Sequence, residues 1–137
     1  MNYTNLIIII VEDSNLDVTY LLRTFRDYKI TNEIKVFSNG EEALDYIKEN
    51  ERHFLVLVDM CLPGMHGIEF IKELKKLNRP QEITYLAISH ELEIIERFKV
   101  NLEGAIAFLP KPICKERLIA IIEGMEIVFK KWEVQVV

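Results

Sequence analysis

Cysteine is scarce. Cys61 and Cys114 are the two in 137 residues, and they form no CxxC pair. That spacing argues against a structural disulfide, so a reducing cytoplasm is the expected setting. Histidine is thin as well: His66 and His90 stand in expected loops with no paired ligand to make a zinc site. Basic residues do not dominate, with 17 Lys and Arg against 22 Asp and Glu and a net charge of −5, which argues against a general binder of phosphate backbones. No apolar run approaches the roughly 20 residues of a membrane span. The opening Met-Asn-Tyr-Thr-Asn lacks the basic start of a secretory signal. Internal repeats and low-complexity tracts are also missing. What the chain has is apolar material, 50% of its residues, enough for the core of one domain.

That material is organised in alternation. Asn5–Val11 is almost continuous Leu, Ile and Val and predicts a strand covered on both faces. Leu16–Tyr28 predicts a helix with Leu16, Tyr20, Leu21 and Phe25 as its apolar stripe. A short strand is expected at Glu33–Phe37, then a helix at Gly40–Lys48 opened by Ser38, three residues before Glu41 in capping-box spacing. The third strand is expected at Phe54–Met60, followed by a turn-rich loop from Cys61 to Gly67 and a helix at Ile68–Leu77 that stops before Pro80. Ile83–Ser89 predicts a fourth strand, Glu91–Val100 a charged helix, Ala105–Leu109 a fifth strand and Cys114–Trp132 a long last helix. Strands of this kind separated by helices imply an α/β fold, a doubly wound parallel sheet of five strands with helices on both faces. Residues 1–131 make the domain, and Trp132–Val137 reads as an extended apolar tail or the start of a linker. A DNA-binding module is not expected within the few residues after the last helix.

In such sheets the site lies beyond the carboxyl ends of the strands. Glu12, Asp13, Asp59, Ser89 and Lys111 all fall just after expected strands. Carboxylates converging without His or Cys suit a hard cation such as Mg²⁺. Asp59 is the best-placed nucleophile, and a cation bridging it to a phosphoryl group would offset the charge on both. Lys111 is the natural second counter-charge, Ser89 can donate a hydroxyl hydrogen bond, and backbone N–H groups of the Met60–Cys61 turn can add more. Phosphorylation would draw Ser89 and Lys111 toward Asp59, and Phe108, three residues before Lys111, could move inward as a readout. Each residue also has a plainer role. Asp59 could be a solvated loop acid, Glu12 and Asp13 helix-start acids, Lys111 a surface lysine, Ser89 a turn donor and Phe108 a core aromatic.

Taken together, Ile-Val-Glu-Asp at 10–13, Val-Asp-Met-Cys-Leu-Pro-Gly-Met-His-Gly at 58–67, Ala-Ile-Ser at 87–89, Glu-Gly-Ala at 103–105 and Phe-Leu-Pro-Lys-Pro at 108–112 resemble the receiver domain of two-component response regulators. The resemblance covers residues 6–128. It implies a flavodoxin-like sheet of strand order 2-1-3-4-5, with Asp59 as phosphoacceptor for a sensor histidine kinase or histidine phosphotransfer protein. Glu12, Asp13, Asp59 and the backbone carbonyl of Cys61 would hold Mg²⁺, Ser89 and Lys111 would bind the phosphoryl group, and Phe108 would be the switch aromatic. It also implies a cis Lys111–Pro112 bond, slow hydrolysis of the acyl phosphate, and partner binding or homodimerisation through the fourth helix, fifth strand and fifth helix. His66 stands where Asp is frequent, His90 where a small residue is common, and Pro110 is less usual. Those departures bear on autodephosphorylation rate and partner choice.

Three other readings compete. A phosphorylation-independent interaction or dimerisation domain would bind its partner equally well with Asp59 replaced. A Mg²⁺-dependent phosphatase would need a cap insertion that is missing, and a flavodoxin-type cofactor binder would need a Ser/Thr-rich loop after the first strand.

Overall fold

The computed structural model of the chain describes residues 6–90 and 105–136, with side chains through Met125. Five strands, β1 (Leu6–Val11), β2 (Ile34–Phe37), β3 (His53–Asp59), β4 (Ile83–Ser89) and β5 (Ala107–Pro110), form one sheet in the order β2-β1-β3-β4-β5. Every neighbouring pair is parallel. The described helices are α1 (Asn15–Asp27), α2 (Gly40–Glu49), α3 (Gly67–Lys76) and α4 (Lys115–Val136). The helix expected at Glu91–Val100 lies outside the described residues.

The side-chain period of two explains why the strands lack polar interruption. Ile8, Ile10, Leu55, Leu57, Leu86 and Ile88 face one way, against Leu21 and Phe25 of α1 and Leu118, Ile119 and Ile122 of α4. Ile7, Ile9, Val11, Val56 and Val58 face the other way, against Ala43, Leu44 and Ile47 of α2 and Phe70, Ile71 and Leu74 of α3. Both faces are covered, so each strand is apolar on each side. Burying one such side chain contributes about 2 kcal/mol against leaving it in water, before the entropy of ordering it.

Four local expectations need correction. Leu16 is not core: it is 81% exposed, while Leu21, Thr24 and Phe25 form the buried stripe of α1. Nine residues separate Leu16 from Phe25, about two and a half turns, so the two project from opposite sides of the helix. Asn39, not Ser38, caps α2, its side chain accepting from the Glu42 N–H at 2.9 Å. It does so because the helix begins at Gly40, which makes the residue just before it the cap. β5 begins at Ala107 rather than Ala105, since its register with β4 starts at Leu86 opposite Ala107. Finally, the backbone of 132–136 is helical and continues α4 to Val136, so it is not an extended tail. Neither Gly nor Pro occurs between Met125 and Val136 to end the helix.

Candidate functional site

The parallel register brings the strand ends to one edge. Val11 lies opposite Val58, Asp59 opposite Ile88, and Ser89 opposite Pro110. β1 sits between β2 and β3, so connections leave it in both directions and a crevice opens at its carboxyl end. Glu12 follows β1 directly, with its N–H held by the Phe37 carbonyl at 3.0 Å. Asp59 ends β3. The Met60 N–H donates to the Ile88 carbonyl and the Lys111 N–H to the Ser89 carbonyl. These backbone bonds fasten the three strand exits that carry the polar side chains.

Glu12, Asp13 and Asp59 converge, with one carboxylate oxygen from each lying within 4.8 Å of the others. Glu12 and Asp59 are buried and Asp13 is exposed. Lys111 reaches the same place across the sheet. Its ammonium is 2.7 Å from Glu12 Oε2, 2.8 Å from Asp17 Oδ2 and 2.9 Å from Asp59 Oδ2, and its side chain is 3% exposed. The Lys111–Pro112 bond is cis, as the resemblance implies. The Cys61 N–H donates to Asp59 Oδ1 at 2.9 Å, so the turn after β3 supplies a backbone donor at the expected place. Ser89 is fully buried, with its hydroxyl 3.8 Å from the Cys61 thiol. The Glu12 Oε1 atom accepts the Ser14 N–H, while Ser14 Oγ caps α1 by accepting the Asp17 N–H at 3.3 Å.

Electrostatics follow from an excess of carboxylate. Asp13 joins Glu12 and Asp59, while the Lys111 ammonium pairs with Glu12, Asp17 and Asp59, so four carboxylates meet a single lysine there. Burial pushes the Glu12 carboxyl up to about 7, against the opposing hydrogen bonds from Lys111 and the Ser14 N–H, and the nearby Asp59 adds to the rise. For Lys111, burial alone would lower the pKa, but the bonds to Asp17, Glu12 and Asp59 outweigh it and hold the ammonium charged. The bond from Lys111 draws Asp17 below the usual carboxylate range. An all-oxygen cluster with more negative charge than its lysine neutralises has the donor set for a hard divalent cation, so the residues fit Mg²⁺.

Of the sequence-predicted residues, Glu12, Asp13, Asp59, Ser89 and Lys111 come together. Phe108 is half-buried on β5, opposite Ala87 of β4, packed against the core on the α2/α3 face. His66 is exposed and precedes α3 without a side-chain cap bond, and His90 is exposed beside Ser89. Asp17 was missed. Its place in the first turn of α1, where an acid is ordinary, gave it no separate signal. Among the described residues no helix is long and apolar enough to cross a membrane.

Comparison with known proteins agrees with this geometry. The family model described as "Response regulator receiver domain" matches residues 8–123. The chain is 30% identical over 117 residues to the transcriptional regulatory protein CpxR homolog of Haemophilus influenzae, covering 85% of this chain and 49% of that protein. It is 37% identical over 75 residues to sporulation initiation phosphotransferase F of Bacillus subtilis, covering 55% of this chain and 58% of that protein. The chain thus spans about half the length of these two relatives. In fold it resembles the chemotaxis protein CheY4 of Vibrio cholerae, with a TM-score of 0.72 at 23% identity, covering 88% of this chain and 98% of that one.

Proposed function

The chain belongs to the response regulator receiver domain family, and from that premise we propose that Asp59 accepts a phosphoryl group in a Mg²⁺-dependent reaction. The observation that carries this reading is the Lys111 ammonium 2.9 Å from Asp59 Oδ2, with the carboxylates of Glu12 and Asp13 gathered beside it. The donor is a phosphohistidine of a sensor kinase or a histidine phosphotransfer protein. A carboxylate oxygen of Asp59 attacks phosphorus, the P–O bond forms as the P–N bond breaks, and the leaving imidazole nitrogen keeps the electron pair and takes a proton from water. Glu12, Asp13, Asp59 and the Cys61 carbonyl would hold Mg²⁺, which would supply positive charge to offset the negative charge of the phosphoryl oxygens. Lys111 contributes a point charge to the same oxygens. Ser89 donates its hydroxyl to a phosphoryl oxygen, and the Cys61 N–H, which already donates to Asp59 Oδ1, is a further backbone donor beside the transferring group.

The phosphoryl group adds about −1.5 to −2 charge and three acceptor oxygens at a buried position, so Ser89 and Lys111 must move to meet it. Phe108 lies opposite Ala87, two residues before Ser89 on β4, and its half-buried ring is the readout toward the surface around β5 where partners, or a second copy of this chain, bind. Hydrolysis of the acyl phosphate resets the domain, and the cytoplasm is its setting.

Incubation with Mg²⁺ and a small acyl phosphate, followed by intact mass, should give one phosphoryl adduct that is lost in Asp59→Asn. A wild-type chain that takes up none, even from a cognate kinase, would sink the reading.

A further inference from the structure

A lysine ammonium has three N–H donors, and all three of Lys111's end on carboxylates: Glu12, Asp17 and Asp59. Two of those acids have a second claim on them, because Glu12 and Asp59 belong to the cluster completed by Asp13. Asp17 lies outside that cluster. It stands on the first turn of α1, its side chain 32% exposed, and reaches inward to an ammonium that is 3% exposed. The pair joins residues 94 positions apart, so helix α1 and the exit of β5 meet at this contact.

We propose that Asp17 is a positioning residue for phosphorylation at Asp59: it tethers the Lys111 ammonium through one donor, so that the two donors now on Glu12 and Asp59 stay turned into the pocket and meet the phosphoryl oxygens when Glu12 and Asp59 serve the cation. The proposal rests on the phosphoacceptor reading. A plainer role exists for Asp17, since an acid in the first turn favours the helix dipole. That role is indifferent to Lys111, and this difference separates the two.

The chemistry required of the tether is modest. An ammonium on a four-carbon stem has many rotamers, and without a fixed partner it must be ordered at each encounter with the phosphoryl oxygens. One charge-assisted bond at the solvent edge of the site removes part of that cost. Because Asp17 is negative, it also opposes the incoming phosphoryl group. The bond to Lys111 offsets that opposition, so the acid and the base act as one unit.

The test is a cycle on full-length protein, following adduct formation by intact mass with Mg²⁺ and acetyl phosphate in wild type, Asp17→Asn, Lys111→Met and the double variant. Asp17→Asn should slow phosphorylation about fivefold, a charge-assisted bond discounted for partial exposure. Lys111→Met should slow it further, and the double variant should be no slower than Lys111→Met alone. Effects that multiply, an unchanged rate or a faster one in Asp17→Asn would overturn the tether. A second readout needs no phosphoryl donor: in Mg²⁺-saturated protein the side-chain ¹⁵N–¹H signal of Lys111 should persist in wild type and broaden away in Asp17→Asn. Persistence in the variant would also overturn the tether. If wild type takes up no phosphoryl group the phosphoacceptor reading fails, and the ammonium signal still decides the tether.

Discussion

Glu12→Gln should gain stability relative to wild type as the pH of the metal-free protein rises to 8, while weakening its hold on Mg²⁺. Glu12 is 4% exposed, and burial pushes its carboxyl from 4.5 to about 7 despite the hydrogen bonds from Lys111 and the Ser14 N–H. The unfolded chain releases this proton near 4.5, whereas the folded one keeps it to about 7. Between those values the folded state binds more protons, so stability falls as pH rises through that window. At about 1.4 kcal/mol per pKa unit, the ionised side chain costs the fold about 3 kcal/mol at pH 8 relative to pH 4.5. A glutamine cannot ionise; it keeps one acceptor oxygen but sets an NH₂ against one of the two donors, the Ser14 N–H or the Lys111 ammonium, a cost that does not vary across this pH range. The variant's stability relative to wild type should therefore rise by about 3 kcal/mol from pH 4.5 to pH 8. Urea unfolding in EDTA at both pH values reads this directly, provided the m-values match. A difference that does not change with pH would refute the burial argument. Adding Mg²⁺ should then stabilise wild type by mass action and the variant far less.

Gly67→Ala should loosen the site from behind. A Cβ there would stand 2.5 Å from Met60 Cα and 3.1 Å from the Asp59 carbonyl, so α3 must shift from the end of β3 at a cost of about 1–3 kcal/mol, visible as a lower Tm; an unchanged Tm would contradict the close approach. Arg79→Ala should destabilise by about 2–4 kcal/mol in urea, because the guanidinium donates to the carbonyls of Ile47, Asn50 and Arg52, pairs with Glu82 and lies over the Phe54 ring. Arg79→Lys should recover only part of that, since an ammonium cannot span the same fork of acceptors.

Much of the site was legible because each residue in it occupies a locally defined position. Strands covered on both faces are continuous apolar runs, so their ends are visible in the chain as the first charged or polar residues: Glu12 and Asp13 after Val11, Asp59 after Val58, Ser89 after Ile88. A parallel sheet then carries those ends to one edge without further information. Lys111 between two prolines was legible for a similar reason, as a lysine held where the fifth strand stops. Asp17 was not, because inside a helix a single acid reads as an ordinary first-turn residue.

Sequence by itself determined the alternation of strands and helices, the two-sided burial of the sheet and the acids and lysine at its carboxyl edge, because side-chain period and hydrophobic run length are local properties. Tertiary structure alone decided which groups share charge. The Lys111 ammonium found Asp17 across 94 residues and took Glu12 and Asp59 as partners with it. It decided as well that Leu16 stays in water and that Glu12 holds its proton to about 7. Burial and charge pairing depend on what the rest of the chain packs against a residue, and no local pattern records that.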